Sequence, residues 1–196
     1  MIQTQRLVIR AFRPGDAEAL YEYLSNPLTY GFEPGEPITF EQARGLALER
    51  SQGSDFWAVE WMEAQKLVGH LYFKQAEPLE LLTWELGYIF NPAYQNQGYA
   101  SEAAAALVRY GFEHWGIHRV TAHCNPQNIA SWKVMEKIGM TREGHLRQNI
   151  FFHRDAKGEP IWIDSFEYGL LQDDLKPHPA VGCGFCFLNA ILFIFR

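Results

Sequence analysis

Asn91 to Gly116 reads "NPAYQNQGYASEAAAALVRYGFEHWG". A polar loop, Gln95-Asn96-Gln97-Gly98-Tyr99-Ala100, runs straight into an alanine-rich stretch that reads as a helix from about Gly98 to His114. The first N–H groups of a helix have no intrahelical partner, and that end carries the positive pole of the dipole. Such a junction is a ready anion site, and phosphates are its common guests. Gly98 removes a side chain where a phosphate would have to approach the backbone, and Ala100 is small for the same reason. Ala103 to Ala106 allow the helix to lie close to a sheet, and the Gln95 and Gln97 amides read as further neutral donors. Two common phosphate loops are absent. No Gly-Lys-Ser/Thr follows, which excludes a P-loop, and no Gly-x-Gly-x-x-Gly occurs, which excludes the dinucleotide fingerprint.

Outward from this junction, the chain reads as alternating strands and helices. "RLVIRAF" (Arg6–Phe12) alternates like a strand. "RPGDAEALYEYLSNP" reads as a helix bounded by prolines. "TFEQARGLALERSQG" is a second helix, with Thr39 and Gln42 in capping-box spacing and Gly53 as its stop. "FWAVEWM" and "KLVGHLYFK" flank Glu63-Ala64-Gln65 as a hairpin, and "LLTWELGYIF" adds a third strand. After the quoted helix come a strand "HRVTAHC", a helix "NIASWKVMEKIG", and two strands, "HLRQNIFFH" and "PIWIDSFEYGLL". The order β-α-α-β-β-β-α-β-α-β-β implies an α/β fold with a mixed sheet.

The bulk numbers exclude several classes. At 196 residues, 47% hydrophobic and 15% aromatic, the chain fits one globular domain. A net charge of −6 with no basic run argues against nucleic-acid binding. Three cysteines, Cys124, Cys183 and Cys186, argue against a disulfide framework. The start "MIQTQRLVIRAF" lacks an apolar signal region, and no apolar run is long enough to span a bilayer, so a cytoplasmic protein is expected. From residue 177 onward the composition changes to an apolar tail, "PHPAVGCGFCFLNAILFIFR", and its Cys-x-x-Cys lacks the surroundings of a redox or zinc site. Residues 1–176 are therefore expected to form the domain and 177–196 an atypical tail.

Gln95-x-x-Gly98-x-Ala100, after a strand ending "ELGYIFNP", resembles the acetyl-CoA pyrophosphate loop of the GNAT N-acetyltransferases. "NPQNIASWKVMEKIGMTREGHLR" is similar to the next helix of that family, opened by an Asn and closed by Glu-Lys-x-Gly-Met. "TQRLVIRAFRPGDAEAL", "GHLRQ" and "DSFEYGLL" resemble the ribosomal-protein (RimJ/RimL-type) branch, and the likeness covers roughly Ile2 to Asp174. It implies a GNAT-like mixed, largely antiparallel sheet flanked by helices, in which the strands Leu81–Phe90 and His118–Cys124 splay apart. Pantetheine would enter that gap beside Ile89 and Phe90. The backbone from Gln95 through Asn96, Gln97, Gly98 and Tyr99 to Ala100 would hold the pyrophosphate, with Asn125 and Asn128 contacting the same co-substrate. The activity implied is acetyl transfer from acetyl-CoA to a primary amine, a protein N-terminus or a small molecule, by direct attack in a ternary complex. No metal is called for, and a homodimer is compatible with the family.

Such chemistry needs a base for the ammonium and a donor for the leaving sulfur. Glu85, in the middle of Trp84-Glu85-Leu86-Gly87-Tyr88, is the expected base, with a pKa raised by aromatic neighbours if it faces the cleft. Met135 stands where many family members carry a proton-donating tyrosine, and the resemblance to the Rim-type branch, in which a serine near the helix start is suggested for this role, implies Ser131 as the donor to sulfur. His70, His123 and His153 are secondary base candidates, and Tyr30, Phe32, Trp57, Trp61 and Tyr72 could wall the acceptor pocket. The competing reading is an acyl-CoA-binding sensor or scaffold that does not turn over.

Overall fold

A computed structural model of the chain describes residues 1–175. The apolar tail expected from residue 177, with Cys183 and Cys186, lies outside the described residues. Eight strands form a single sheet: β1 (Ile2–Gln3), β2 (Leu7–Ala11), β3 (Phe56–Trp61), β4 (Lys66–Gln75), β5 (Thr83–Phe90), β6 (Arg119–Cys124), β7 (Thr141–Arg154) and β8 (Pro160–Leu171). Their order is β1-β2-β3-β4-β5-β6-β8-β7, and every neighbouring pair is antiparallel except β5 with β6. Four helices cover it: α1 (Ala17–Leu24), α2 (Phe40–Gln52), α3 (Tyr99–His114) and α4 (Ile129–Lys137).

The helices divide between two cores. α1 and α2 close one face through Leu20, Tyr23, Leu24, Ala43 and Ala47, which meet Phe12, Ala58 and Leu67. α3 and α4 close the other, where Ala103, Ala104, Leu107, Val108 and Met135 meet Leu7, Val59, Phe73, Leu86 and Val120. The small residues let α3 approach the sheet closely. A β-carbon on Gly111 would sit 2.6 Å from Ile117 Cδ1, so any larger residue there would have to push that side chain aside. α2 starts where its capping box was expected: Gln42 N–H donates to Thr39 Oγ1, and Thr39 N–H donates to Gln42 Oε1.

The functional feature is a parting of two strands. β5 and β6 pair only at Thr83–Glu85 with Arg119–Thr121. Beyond that register, β5 continues to Phe90 along β4, while β6 continues to Cys124 along β8. A wedge-shaped gap opens between their C-terminal halves. The structure adds β1, two residues too short to carry an alternation pattern. It also starts β7 at Thr141, four residues before the expected strand. Leu81 and Leu82, expected in β5, instead form a helical turn whose last residue, Leu82, is left-handed.

Candidate active site

On the α3 side of the gap, the loop is shaped by its own side chains. Gln95 Nε2 donates to Phe90 O at 3.0 Å and Gln97 Nε2 to Ala93 O at 3.3 Å. These amides were expected to serve a ligand; they donate inward and hold the turn instead. Asn96 and Gly98 are both left-handed, at φ 60° and 81°, and Gly98 is the residue that opens α3. The first bond of α3 runs from Glu102 N–H to Gly98 O, so the N–H groups of Tyr99, Ala100 and Ser101 have no intrahelical acceptor.

A clamp fixes this end of the helix. Arg6 donates to Gln97 O at 3.0 Å and to Glu102 at 2.7 Å, while Thr4 Oγ1 donates to Glu102 at 2.6 Å. Two cations flank the opening: a side chain on Gly98 would begin 3.4 Å from an Arg6 guanidinium nitrogen and 3.7 Å from Lys137 Nζ. Free N–H donors, the positive helix end and lysines suit a phosphate-bearing ligand.

A cavity of about 420 Å³ starts here and runs into the gap. Ile89, Phe90, Gln95, Asn96, Gly98, Tyr99, Ala100, Asn128 and Ser131, all expected at the site, border it. Gln97 does not border it and is exposed. The Tyr99 side chain is packed under Arg6 and against Trp61, so its backbone is what faces a ligand. Lys133 and Lys137 also border the cavity. Sequence reasoning passed over them, although Ala130, Lys133, Val134 and Lys137 recur at helical spacing on one face of α4.

At the bottom of the gap, Asn128 caps α4 by accepting from Ser131 N–H at 3.1 Å. Tyr88, on β5, donates to Ser131 O at 2.8 Å, and its hydroxyl lies 3.0 Å from Ser131 Oγ. Met135 is 1% exposed and packed in the core. A tyrosine does stand beside Ser131, but on the strand rather than the helix. Burial pushes the Tyr88 phenol up, so it stays protonated. With its single proton on Ser131 O, Tyr88 can only accept from Ser131 Oγ. The serine proton is then held for Tyr88 or for an acceptor in the cavity. Burial likewise pushes the Cys124 thiol up to about 11, which makes it a poor nucleophile.

The other half of the cleft is a cavity of about 280 Å³, bordered by His123, Cys124, Asn125, Asn149, Asp164 and Ser165. Phe32, Glu33, Asn128 and Ser131 border both cavities. Glu85 borders neither. It lies behind His123, with Oε1 at 3.9 Å from Nδ1, while Glu167 Oε1 lies 3.8 Å from Nε2. The Glu85 carboxyl is held below its usual range by His123, which outweighs its burial. The expectation that aromatic neighbours raise it is therefore corrected. Trp84 is on the opposite face of β5, stacked on Trp115. Conversely, Glu85 first and Glu167 second hold the His123 imidazolium above the usual histidine range, against its burial. His70 is buried, hydrogen-bonded to Tyr23 and held neutral by desolvation, which removes it as a base. Of the expected wall residues, Phe32 borders the cleft, Trp57 and Trp61 pack against the α3 core, and Tyr30 donates to Leu24 O.

Residues 6–141 match the family model described as "Acetyltransferase (GNAT) domain". The chain is 38% identical over 174 residues to the uncharacterized N-acetyltransferase YnaD of Bacillus subtilis, covering 88% of this chain and 98% of that one. It is 28% identical over 187 residues to the [ribosomal protein uS5]-alanine N-acetyltransferase of Escherichia coli, covering 90% and 93%. The crystal structure of a GNAT-family acetyltransferase from Bacillus anthracis superimposes with a TM-score of 0.79 at 37% identity, over 88% of this chain and 98% of that one. With the parted strands and the open helix N-terminus between them, the chain belongs to the GNAT acetyltransferases and is an N-acyltransferase.

Proposed function

We propose that the protein transfers an acetyl group from acetyl-CoA to a primary amine, the two substrates meeting in the gap between β5 and β6. The observation that carries this reading is the junction of two cavities at Ser131, one leading to the helix N-terminus and the other to His123. The N–H groups of Tyr99, Ala100 and Ser101 would hold the pyrophosphate, with Lys133 and Lys137 supplying positive charge. Acetyl-CoA supplies an activated acyl carbon and a thiolate leaving group. Asn125 and Asn128 line the path, and the unpaired edge of β5 at Ile89 and Phe90 offers backbone groups to the pantetheine arm. Residues 1–176 would carry the whole activity.

The proton route runs through His123. It borders the acceptor cavity, whereas Glu85 stands behind it and holds it at ion-pair distance. Neutral His123 would take the ammonium proton, Glu85 would stabilise the imidazolium that results, and the Ser131 hydroxyl would donate a hydrogen bond to the departing sulfur. A positioned base of this kind contributes about 10²–10⁴-fold. A protein N-terminus is the favoured acceptor class, supported by the likeness to the [ribosomal protein uS5]-alanine N-acetyltransferase of Escherichia coli.

The test is release of CoA thiol when amines, including peptides with a free N-terminus, are added with acetyl-CoA. Tight acetyl-CoA binding with no thiol released by any amine would favour the non-catalytic sensor, the reading that Met135 in place of a helix tyrosine suggests.

A further inference from the structure

Glu33 lies in the loop that follows the Pro27–Tyr30 turn and borders both cavities where they join. Among the described residues its carboxylate has no hydrogen-bond or ion-pair partner. Burial alone pushes it up to about 7. Its charge reaches both walls of the gap, adding to the upward shifts of Tyr88 on β5 and Cys124 on β6. A half-buried carboxylate without a partner is costly to keep ionised, and an incoming cation would remove that cost.

The smaller cavity carries a different charge from its neighbour. Among the described residues no Lys or Arg borders it, and its second carboxylate is Asp164, held by His145 Nε2 at 2.7 Å and by the Gln148 N–H at 2.9 Å. The neighbouring cavity carries the lysines. The cleft is therefore divided by charge, cationic where phosphates would sit and, once His123 is neutral, anionic beyond Ser131. At about 280 Å³, the anionic cavity is smaller than the roughly 300–1,000 Å³ typical of drug-sized ligands. It suits a compact group or the end of a chain.

We propose that Glu33 receives the ammonium of the acceptor, and that this cavity selects compact amines with no carboxylate beside the amine. An amino-acid amide or a peptide N-terminus fits; a free amino acid would place its carboxylate against Glu33 and Asp164. The inference rests on the acetyl-transfer reading.

The test measures thiol release with L-alaninamide, L-alanine and an alanine-initiated hexapeptide, for the wild type, Glu33→Gln and Glu33→Asp. The wild type should use alaninamide at least tenfold better than alanine by kcat/KM. A hexapeptide that surpasses alaninamide identifies a chain end as the source; the reverse identifies a small amine. Glu33→Gln should raise the acceptor KM at least tenfold, leave kcat within about threefold and leave acetyl-CoA affinity unchanged, and Glu33→Asp should recover part of the loss.

The titratable groups facing Glu33 are Tyr88 on β5, His123 and Cys124 on β6, Asp164 on β8, and Lys133 and Lys137 on α4. The Glu33 carboxylate exists above about pH 7, so amine affinity should strengthen as pH rises through 7. His123, raised by Glu85 and Glu167, also loses its charge as pH rises. Calorimetric titration of alaninamide separates the two, because Glu33→Gln should abolish this pH limb and His123→Asn should retain it. Calorimetry also reads the anchor without turnover: equal alaninamide binding by wild type and Glu33→Gln overturns the proposal. So does a Glu33→Gln variant with reduced kcat and unchanged KM, or equal use of alanine and alaninamide. An enzyme that binds alaninamide through Glu33 but transfers no acetyl group would instead overturn the transferase reading.

Discussion

On the α3 side of the cleft the groups proposed to face the ligand are the backbone N–H groups of Tyr99 to Ser101 and two lysines a helical turn apart on α4. On the acceptor side they are side chains from three separate places, Glu33 on a loop, His123 on β6 and Asp164 on β8, with Glu85 on β5 behind His123. The first half depends on backbone geometry fixed by neighbouring residues, and the Arg6–Glu102–Thr4 clamp holds it. The second half depends on how charges lie across the sheet. Substitutions in the two halves should therefore fail differently, in acetyl-CoA affinity on one side and in acceptor affinity, turnover and their pH dependence on the other.

The largest effect belongs to the acceptor side. His123→Asn should lower kcat by about 10²–10⁴-fold, the range for a positioned base, with acetyl-CoA affinity little changed. In the proposed mechanism the active form is the neutral imidazole. Glu85 and Glu167 raise the His123 pKa, so wild-type turnover should climb with pH through a limb above the ordinary histidine value of about 6.5. Glu85→Gln removes the first of those partners, so its limb should move to lower pH while the plateau falls. A Glu85→Gln enzyme with the wild-type profile would remove Glu85 from the mechanism. It would also reduce the contrast between the halves to a difference of material alone.

Gly98→Val probes the backbone side. A β-branched residue at φ 81° is strained, and its side chain would point at Arg6 and Lys137. Relieving strain on the order of 1–3 kcal/mol would pull the loop out of its binding shape, so acetyl-CoA should bind about 5–150-fold more weakly, with the pH limb of turnover unmoved. Unchanged acetyl-CoA affinity in a folded Gly98→Val protein would place the phosphate site elsewhere.

The same contrast explains what the sequence made legible. The loop and α3 were readable because Gln95 to Ala100 and the alanines after them act through local geometry, which local sequence encodes. β2 to β8 were readable from alternation and breakers, while β1, with two residues, carried no period. The parting of β5 and β6 came from the family resemblance, since nothing in "LLTWELGYIF" or "HRVTAHC" states where pairing stops. The acceptor side was least readable. The pKa direction of Glu85 depends on His123, 38 positions later, and on which face of β5 the side chain takes. Glu33 sits in "GFEPGEP", a loop with no periodicity, and only tertiary contact brings it to Ser131. Tyr88 reads only as part of a strand, and its partnership with Ser131 crosses 43 positions.

A smaller effect is expected from Lys137→Ala. The lysine stands at the mouth of the phosphate side near Gly98. A partly exposed charge-assisted contact is worth on the order of 1–2 kcal/mol, which corresponds to about 5–30-fold in affinity. The loss should shrink at high salt, because screening already weakens the wild-type contact. An effect on kcat without one on acetyl-CoA affinity would break the assignment of this lysine to the phosphate side.

The smallest effect should come from Tyr88→Phe, where the two halves meet. The hydroxyl neither reaches the helix N-terminus nor borders the acceptor cavity; it ties β5 to Ser131 across the gap. Its removal leaves Ser131 O without that donor and frees the serine hydroxyl to rotate. A typical hydrogen bond contributes about 0.5–1.5 kcal/mol, so kcat should fall by about 2–10-fold, with acetyl-CoA affinity nearly unchanged. If Ser131 donates to the leaving sulfur, Ser131→Ala should give a loss that Tyr88→Phe barely deepens, because the tyrosine would act only through the serine. Losses that multiply in the double variant would mean that Tyr88 contributes independently and would divide its role from that of Ser131.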